Sequence, residues 1–183
     1  MTGKVSTTRV YHGKVVSIDL DTVEFPDGSI GELEIFRHPG ASAVVPFLSD
    51  PEGDDPQILL IRQYRYASDG FMYEVPAGRP DRTGEDWEVC ARRELEEETG
   101  MVAGELTYMT SFFTTPGFTD EQIRLYMATK LTTGTGKLDV DEFIEPVKMH
   151  MSDALRMIRA CEITDGKTII TILYAAGFLM NAD

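Results

Sequence analysis

Segments rich in β-branched and aromatic residues occur throughout the first 77 residues and predict strands. In the first three, polar and apolar positions mix, and the turn sequence Pro26-Asp27-Gly28-Ser29 joins the last two of them. The later segments are more apolar, as in buried strands. The predicted strands of this half are Thr8–Ile18, Thr22–Phe25, Gly31–Phe36, Ala43–Leu48, Gln57–Gln63 and Phe71–Val75.

A strong helix is predicted from about Glu85 to Thr99, because Trp87, Ala91 and Leu95 recur at helical spacing. Gly100 is well placed to end it. The rest of the chain predicts strands near Leu106–Phe113, Gln122–Leu131 and Pro146–Met151, followed by helices over Ser152–Ala160 and Lys167–Leu179. This order of elements predicts an α+β fold, a mixed sheet with helices outside it.

The predicted central helix ends on three consecutive glutamates, where the helix dipole already presents negative charge. Acidic residues there cost a few tenths to ~1 kcal/mol each. Arg92 and Arg93 can offset part of this by pairing with Glu96 and Glu97 one turn away, which would give the run a purely structural explanation.

A functional explanation is also open. Glu94, Glu97 and Glu98 are spaced i, i+3, i+4 and therefore share one face of the helix. Clustered carboxylate oxygens are the ligands that Mg²⁺ prefers, usually with waters and substrate phosphates. Because the run breaks a local rule of helix stability, a role in function is indicated.

Composition narrows the classes of partner. The chain has 17 basic and 31 acidic residues, a net charge of −14, which disfavours nucleic acid and anionic membranes as partners. No apolar run approaches the ~18–20 residues of a membrane span, and the N-terminus has no signal-peptide pattern, so we expect a cytoplasmic protein. Two distant cysteines and three isolated histidines predict no zinc site, and Cys90 is expected to be a buried structural thiol.

The segment around the helix has a distinctive spacing, in which Glu85 is followed by seven residues and then by Arg93-Glu94-Leu95-x-Glu97-Glu98-x-Gly100-Met101. This spacing resembles the signature of the Nudix hydrolases and matches every fixed position of it from Glu85 onward. Gly78 precedes Glu85 by six residues rather than five, so the loop between them is one residue longer than the pattern. The resemblance implies an α/β/α sandwich with a mixed sheet, and hydrolysis of the pyrophosphate bond of a nucleoside diphosphate derivative.

The same resemblance implies the metal site. Mg²⁺, for which Mn²⁺ can substitute, would be held by Glu94, Glu98 and the main-chain carbonyl of Ala77. Glu97 would be a further ligand or the base that positions water. Arg93 would orient the glutamates rather than contact the substrate.

Features outside the signature resemble the ADP-ribose pyrophosphatase branch of the family. Arg62-Gln63-Tyr64-Arg65 is similar to a strand end of that branch, which would bring Arg65 to a substrate phosphate or ribose. The turn Thr114-Thr115-Pro116-Gly117-Phe118 is similar to a turn that marks ADP-ribose as the substrate, with Thr115 in place of the usual serine. The implied substrate-binding residues are Arg65, Thr115, Gly117, Glu121, Arg37, Phe36 and Glu85.

A late acidic loop, residues 139–145, supplies the other candidate for the catalytic base. In the branch that the chain resembles, a glutamate on this loop activates the attacking water or holds a second metal. Glu142 matches it best, Asp139 and Asp141 are alternatives, and Glu145 is expected to face solvent. Whether Glu142 or Glu97 is the base stays open.

The resemblance also predicts a homodimer. Residues 1–40 would form a small antiparallel β-sheet that pairs with a second subunit, and residues 41–183 would form the Nudix hydrolase domain. Phe36, Arg37 and Tyr11 are candidates for an adenosine pocket to which both subunits contribute.

Two other functions compete with hydrolysis of ADP-ribose to AMP and ribose 5-phosphate. GDP-mannose or another nucleoside-diphosphate sugar would use the same catalytic residues. A non-catalytic module that binds ADP-ribose is also conceivable, although such modules usually lose a metal-binding glutamate. Gly166-Lys167-Thr168 imitates the end of a phosphate-binding P-loop but lacks its first glycine, so it is interpreted as a helix start capped by Asp165.

Overall fold

The computed structural model describes residues 3–81, 84–136 and 143–179. Internal contacts divide the chain into two compact units. The first consists of Met1–Ala41 with Ser111–Ile123, and the second of Ser42–Thr110 with Arg124–Asp183. The fold class is α+β, with several small sheets and three α-helices in the described residues, as the sequence predicts.

The first unit is built on a three-stranded antiparallel sheet of β1 (Gly3–His12), β2 (Ser17–Glu24) and β3 (Ile30–Arg37), in that order. The strand predicted over Thr8–Ile18 is wrong as one element. The chain turns at Gly13, whose amide donates to the carbonyl of Val16 at 2.9 Å, so that the segment is the end of β1 and the start of β2. The pattern of β-branched residues continues across the turn and hides it.

Most strands of the second unit belong to two sheets. One has the order β7 (Ala77–Gly78), β4 (Ala41–Pro46), β10 (Gln122–Thr129), β9 (Glu105–Phe113). Ala41 of β4, residues 122–123 of β10 and residues 111–113 of β9 belong to the first unit. The other has the order β12 (Ile144–His150), β5 (Gln57–Arg65), β6 (Gly70–Glu74) and is antiparallel. A short ladder joins β8 (Met101–Val102) to β11 (Thr132–Thr133).

The helices are α1 (Trp87–Thr99), α2 (Met151–Arg159) and α3 (Gly166–Tyr174). α1 begins two residues later than predicted, because the side chain of Asp86 accepts from the amides of Glu88 and Val89 and caps it. α3 ends earlier than predicted and passes into a short π-helix over Ala175–Leu179. Among the described residues, every helix falls short of the length and apolarity that crossing a membrane requires.

The apolar face of α1 fixes the position of its acidic end. Ala91 and Leu95 are fully buried against Val44 of β4, and Trp87 packs against the same cluster. Burial of such side chains stabilises the contact by roughly 1.5–3 kcal/mol for each large one. Because β4 pairs with β7, this packing holds the last two turns of α1 beside Ala77–Gly78.

Candidate functional site

Two glutamates of α1 are buried against β7. Glu98 is 4% exposed and Glu94 is 8% exposed, unusual values for carboxylates. The Oε2 atom of Glu98 accepts a hydrogen bond of 2.9 Å from the amide of Ala77. Their i, i+4 spacing places both on the helix face toward this strand.

The carboxylate of Glu94 packs directly against the main chain of Gly78. A Cβ atom at position 78 would lie 1.9 Å from Oε1 and 2.0 Å from Cδ of Glu94, which is far inside van der Waals contact. Only glycine therefore lets the carboxylate approach the main chain this closely. The glycine before the helix is thus tied to the first glutamate of the helix by direct packing.

Arg93 links the acids of the site. Its Nη1 atom donates to Glu94 Oε1 at 2.8 Å and to Glu97 Oε2 at 2.9 Å, and its Nη2 atom donates to Glu85 Oε2 at 3.3 Å. Nη2 also donates to the carbonyl of Arg79 at 2.9 Å. Burial works against its charge, but Glu85, Glu94 and Glu97 outweigh burial and raise the pKa of Arg93.

Glu85 serves this arrangement too. Its Oε2 atom accepts from the amide of Asp81 at 2.8 Å as well as from Arg93, so it ties the loop before α1 to the helix. Asp81 Oδ2 lies 3.2 Å from Arg93 Nε, but the two atoms are not hydrogen bonded. The structure therefore places Glu85 among the residues that hold the site together.

The donor set fits a divalent cation of the Mg²⁺ type. Within the described ranges, no three acidic, histidine or cysteine side chains converge as a ready-made cage. Two buried carboxylates beside a main-chain segment nevertheless match Mg²⁺, which usually takes one or two carboxylates and completes its shell with waters and substrate phosphates. The carboxylate oxygens of Glu94 lie directly against Gly78, and oxygen is the donor atom that Mg²⁺ prefers.

Cys90 lies beneath the site and is inert. The thiol is fully buried and lies 3.5 Å from the carbonyl of Gly78. Burial, with the nearby charge of Glu94, raises the pKa of Cys90 to about 11. The side chain is therefore a protonated packing group at neutral pH, as the sequence predicts.

Arg65, predicted to contact substrate, is bound by Glu74 at the end of β6. Its Nε atom donates to Glu74 Oε1 at 2.7 Å and its Nη2 atom donates to Glu74 Oε2 at 2.9 Å. Lys167 also donates to Glu74. Burial alone would raise the pKa of Glu74, but Arg65 and Lys167 outweigh it and hold that pKa below its usual range.

Glu74 and Lys167 were not predicted as part of the site. The sequence does contain one indication that Glu74 has a role in the site. Glu74 is an acidic residue at the end of a strand that is otherwise aromatic and apolar, directly before Val75-Pro76-Ala77. Lys167 lies in the P-loop imitation, and α3 does begin there, with Asp165 accepting from the amide of Thr168 at 2.9 Å.

The first unit contains a cavity of about 300 Å³ lined by three of the predicted substrate-binding residues, Phe36, Thr115 and Glu121. Glu121 is held from two sides, because Oε2 accepts from Thr114 Oγ1 at 2.9 Å and Oε1 lies 3.1 Å from His38 Nδ1. The remaining lining residues are Val16, His38, Thr114, Phe118 and Thr119.

Arg37 and Gly117 do not line this cavity. Arg37 lies in a network of acids of the first unit, where Nε donates to Asp19 at 3.0 Å, Nη1 to Asp120 at 3.1 Å, and Nη2 to Asp21. Arg9 also bonds Asp19 and holds the pKa of that buried carboxyl below its usual range. Tyr11 is 54% exposed on β1.

Of the two candidate bases, the described residues include Glu97 but not Glu142. Glu142, with its alternatives Asp139 and Asp141, lies outside the described residues. Glu97 is 40% exposed and bound through one oxygen to Arg93. The side chain of Glu145 is 69% exposed, so it faces solvent as predicted.

Residues 38–167 match the NUDIX domain family. The chain is 37% identical over 172 residues to the ADP-ribose pyrophosphatase of Bacillus subtilis, covering 93% of this chain and 90% of that protein. It is 38% identical over the same shares to the methanol dehydrogenase activator of Bacillus methanolicus. It is 35% identical over 127 residues to a GDP-mannose pyrophosphatase of Klebsiella pneumoniae, covering 64% of this chain and 63% of that one.

A solved structure described as an ADP compounds hydrolase superimposes with a TM-score of 0.80 at 19% identity, covering 97% of this chain and 94% of its own. That likeness shows the fold. The sequence similarity and the glutamate site on α1 carry the assignment further. The chain is a pyrophosphohydrolase of the Nudix family, in its ADP-ribose pyrophosphatase branch.

Proposed function

We propose that the protein hydrolyses the pyrophosphate bond of ADP-ribose, giving AMP and ribose 5-phosphate, with Mg²⁺ as the physiological cation. The observation that carries the proposal is the pair of buried carboxylates, Glu94 and Glu98, seated on Ala77–Gly78. Similarity to an ADP-ribose pyrophosphatase over nearly the whole chain supports the choice of substrate.

Glu94, Glu98 and the carbonyl of Ala77 would hold the metal, and Glu97 would be a further ligand or the base. A bound divalent cation neutralises diphosphate charge and polarises an attacking water. Arg93 keeps the glutamates in register through its hydrogen bonds to Glu94 and Glu97. Glu142 or Glu97 accepts the proton of the water as it attacks phosphorus.

Arg65 would bind a substrate phosphate. Two of its five N–H donors are taken by Glu74, and the side chain is 41% exposed, so its outer edge is accessible. A guanidinium edge suits phosphate oxygens because it offers parallel donors. Thr115, Gly117 and Glu121 would contact the nucleoside or ribose, together with Phe36 and Arg37 of the first unit.

We also propose that residues 1–40 are a dimerisation extension and residues 41–183 the hydrolase domain, so that the active form is a homodimer. The exposed face of β1 supports this proposal. All ten of its residues are exposed, including Val5 and Val10 at 60% and 59%. Apolar side chains left in water on an edge strand favour a partner.

A substrate panel tests the proposal. The protein is assayed with Mg²⁺ on ADP-ribose, GDP-mannose, NADH, diadenosine polyphosphate and 8-oxo-dGTP, and the products are identified. We expect the highest kcat/KM for ADP-ribose, with AMP and ribose 5-phosphate in equal amounts. Preference for GDP-mannose would support the alternative that the Klebsiella pneumoniae relative suggests. Binding of ADP-ribose without its hydrolysis would indicate a non-catalytic module.

A further inference from the structure

Glu74 is a buried acid that the proposed chemistry does not use directly. It is 1% exposed, and a carboxylate in that position is stable only with charged partners. Arg65 occupies both of its oxygens through a bidentate pair, at 2.7 and 2.9 Å. Lys167 adds a second cation on Oε2. One carboxylate therefore holds two cations, of which Arg65 extends toward solvent.

Lys167 is held in place by the first turn of α3. Its side chain is 12% exposed, and its Nζ atom lies 3.0 Å from Asp165 Oδ2 as well as beside Glu74. Asp165 is itself fixed, because the same Oδ2 accepts from the amide of Thr168 at 2.9 Å and caps the helix. The ammonium group thus sits between two anchored carboxylates.

The same helix turn supports the strand that leads to the metal site. Thr168 is fully buried, and its hydroxyl accepts from the amide of Val75 at 2.8 Å while donating to Asp165 at 2.6 Å. Val75 is two residues before Ala77. The start of α3 is therefore attached both to the main chain beside the metal site and, through Lys167, to Glu74.

The bidentate pair by itself does not fix the plane of the Glu74 carboxylate. The terminal torsion of a glutamate is broad, so the carboxylate and a paired guanidinium can turn together. A second cation anchored by Asp165 restricts that rotation. The free edge of Arg65 then keeps one direction. Glu74 and, to a smaller extent, the charge of Glu98 raise the pKa of Arg65, so the guanidinium lies within electrostatic range of a proposed metal-binding glutamate.

We infer that Lys167 is a positioning residue of the hydrolase, which fixes Glu74 and through it aims Arg65 at the diphosphate of the substrate. The inference rests on the proposed function, in which Arg65 binds a substrate phosphate. Lys167 itself contacts two carboxylates and has no need to touch the substrate.

Three variants measure the effect on turnover of ADP-ribose with Mg²⁺. Lys167→Met removes the charge and keeps the length, Lys167→Arg keeps the charge, and Lys148→Met changes an exposed lysine of β12 as the control. We expect Lys167→Met to lower kcat/KM at least ~10-fold, mainly through KM, the size expected when a charge-assisted hydrogen bond loses its geometry. Lys167→Arg should recover most of this loss, and Lys148→Met should match the wild type.

A double-variant cycle separates positioning from general stabilisation. If Lys167 acts through Arg65, Lys167→Met should add little to the loss already caused by Arg65→Ala. Losses that multiply, or a Lys167→Met enzyme with wild-type kcat/KM, would overturn the inference. Thermal unfolding of each variant shows whether any loss follows the stability of the fold.

A substrate-free measurement keeps the inference distinct from the proposed function. The Nε–H signal of Arg65, assigned by its disappearance in Arg65→Lys, should exchange slowly with water in the wild type because it bonds Glu74. In Lys167→Met it should shift and exchange faster, and in Lys148→Met it should stay unchanged. If the wild type fails to hydrolyse ADP-ribose, the proposed function fails while this signal still reports the link. An Arg65 signal unaffected by Lys167→Met would refute it.

Discussion

Arg93 connects three glutamates through one guanidinium, bonding Glu94 and Glu97 with one nitrogen and Glu85 with another. Glu94 and Glu97 would otherwise repel one another in the C-terminal half of a helix whose end already carries partial negative charge, whereas Glu85 lies before the helix at its N-terminal end. The guanidinium offsets that repulsion without leaving the helix face. The last helical turn contains no lysine or arginine, so Arg93 supplies positive charge to Glu94 and Glu97 from the preceding turn.

The two candidates for the catalytic base are Glu142 and Glu97. One oxygen of Glu97 is bound to Arg93 at 2.9 Å, so it is committed to holding the site in order. We therefore expect Glu142→Gln to lower kcat for ADP-ribose by ~10²-fold or more with little change in KM, the mark of a general base.

Glu97→Gln should have the milder effect, because an amide oxygen can still accept from Arg93. Steady-state kinetics of both variants at saturating Mg²⁺ check the ranking. A larger loss for Glu97→Gln would move the base onto the helix.

Much of the site follows from spacing alone. The i, i+3, i+4 placement of Glu94, Glu97 and Glu98 predicts a shared face, and two of the three are buried together against β7. The role of Glu74 could not be predicted in this way. Its partner Arg65 is nine residues away across a hairpin and its partner Lys167 is 93 residues away, and contacts over such separations depend on packing.

At the scale of elements, the helices and buried strands are the features that periodicity predicts best. The predicted bounds of β4 and β5 agree with the structure to within two residues at each end, because a short, continuous apolar run between turn sequences is typical of a buried strand. α1 begins two residues later than the sequence predicts. Asp86 caps the helix, and Glu85 binds Arg93 and the amide of Asp81 instead of forming the first turn. From the sequence alone, an acidic residue before a helix that binds an arginine cannot be distinguished from one that caps or begins the helix.

The first sheet was predicted less accurately for a physical reason. β1 is exposed throughout, so it lacks the alternation that burial imposes on a strand. β2 does alternate, but its inward positions include Asp19 and Asp21, which are buried as partners of Arg9 and Arg37. A buried face built from charges is invisible to a pattern based on apolar residues.

At the scale of the whole molecule, the exposed β1 leads to a prediction about assembly. In sedimentation, the full chain should behave as a dimer, with twice its mass of 20.4 kDa. Val5→Asp with Val10→Asp should give a monomer, because charges would replace the apolar side chains that a partner covers. If the adenosine pocket is shared, the KM of this monomer for ADP-ribose should rise by more than ~10-fold, or ~1.4 kcal/mol of lost contacts.

Val89→Asp is the control, since Val89 is a similarly exposed valine, at 52%, on α1 of the other unit. It should remain dimeric with an unchanged KM. A wild-type chain that sediments as a monomer at micromolar concentration and turns over ADP-ribose at full rate would contradict the shared pocket.

The central claim is that the buried glutamates of α1 are the catalytic metal site of an ADP-ribose hydrolase. The most direct test compares kcat for ADP-ribose, across a Mg²⁺ titration, in Glu98→Gln and Glu88→Gln. Both substitutions remove one carboxylate charge from the same helix, but Glu98 is buried beside Ala77 and Glu88 is exposed and paired with Arg92. We predict a fall of at least ~10²-fold for Glu98→Gln, as loss of a preorganised electrostatic contact gives, and kcat near that of the wild type for Glu88→Gln. Equal activities for the two variants would contradict the account.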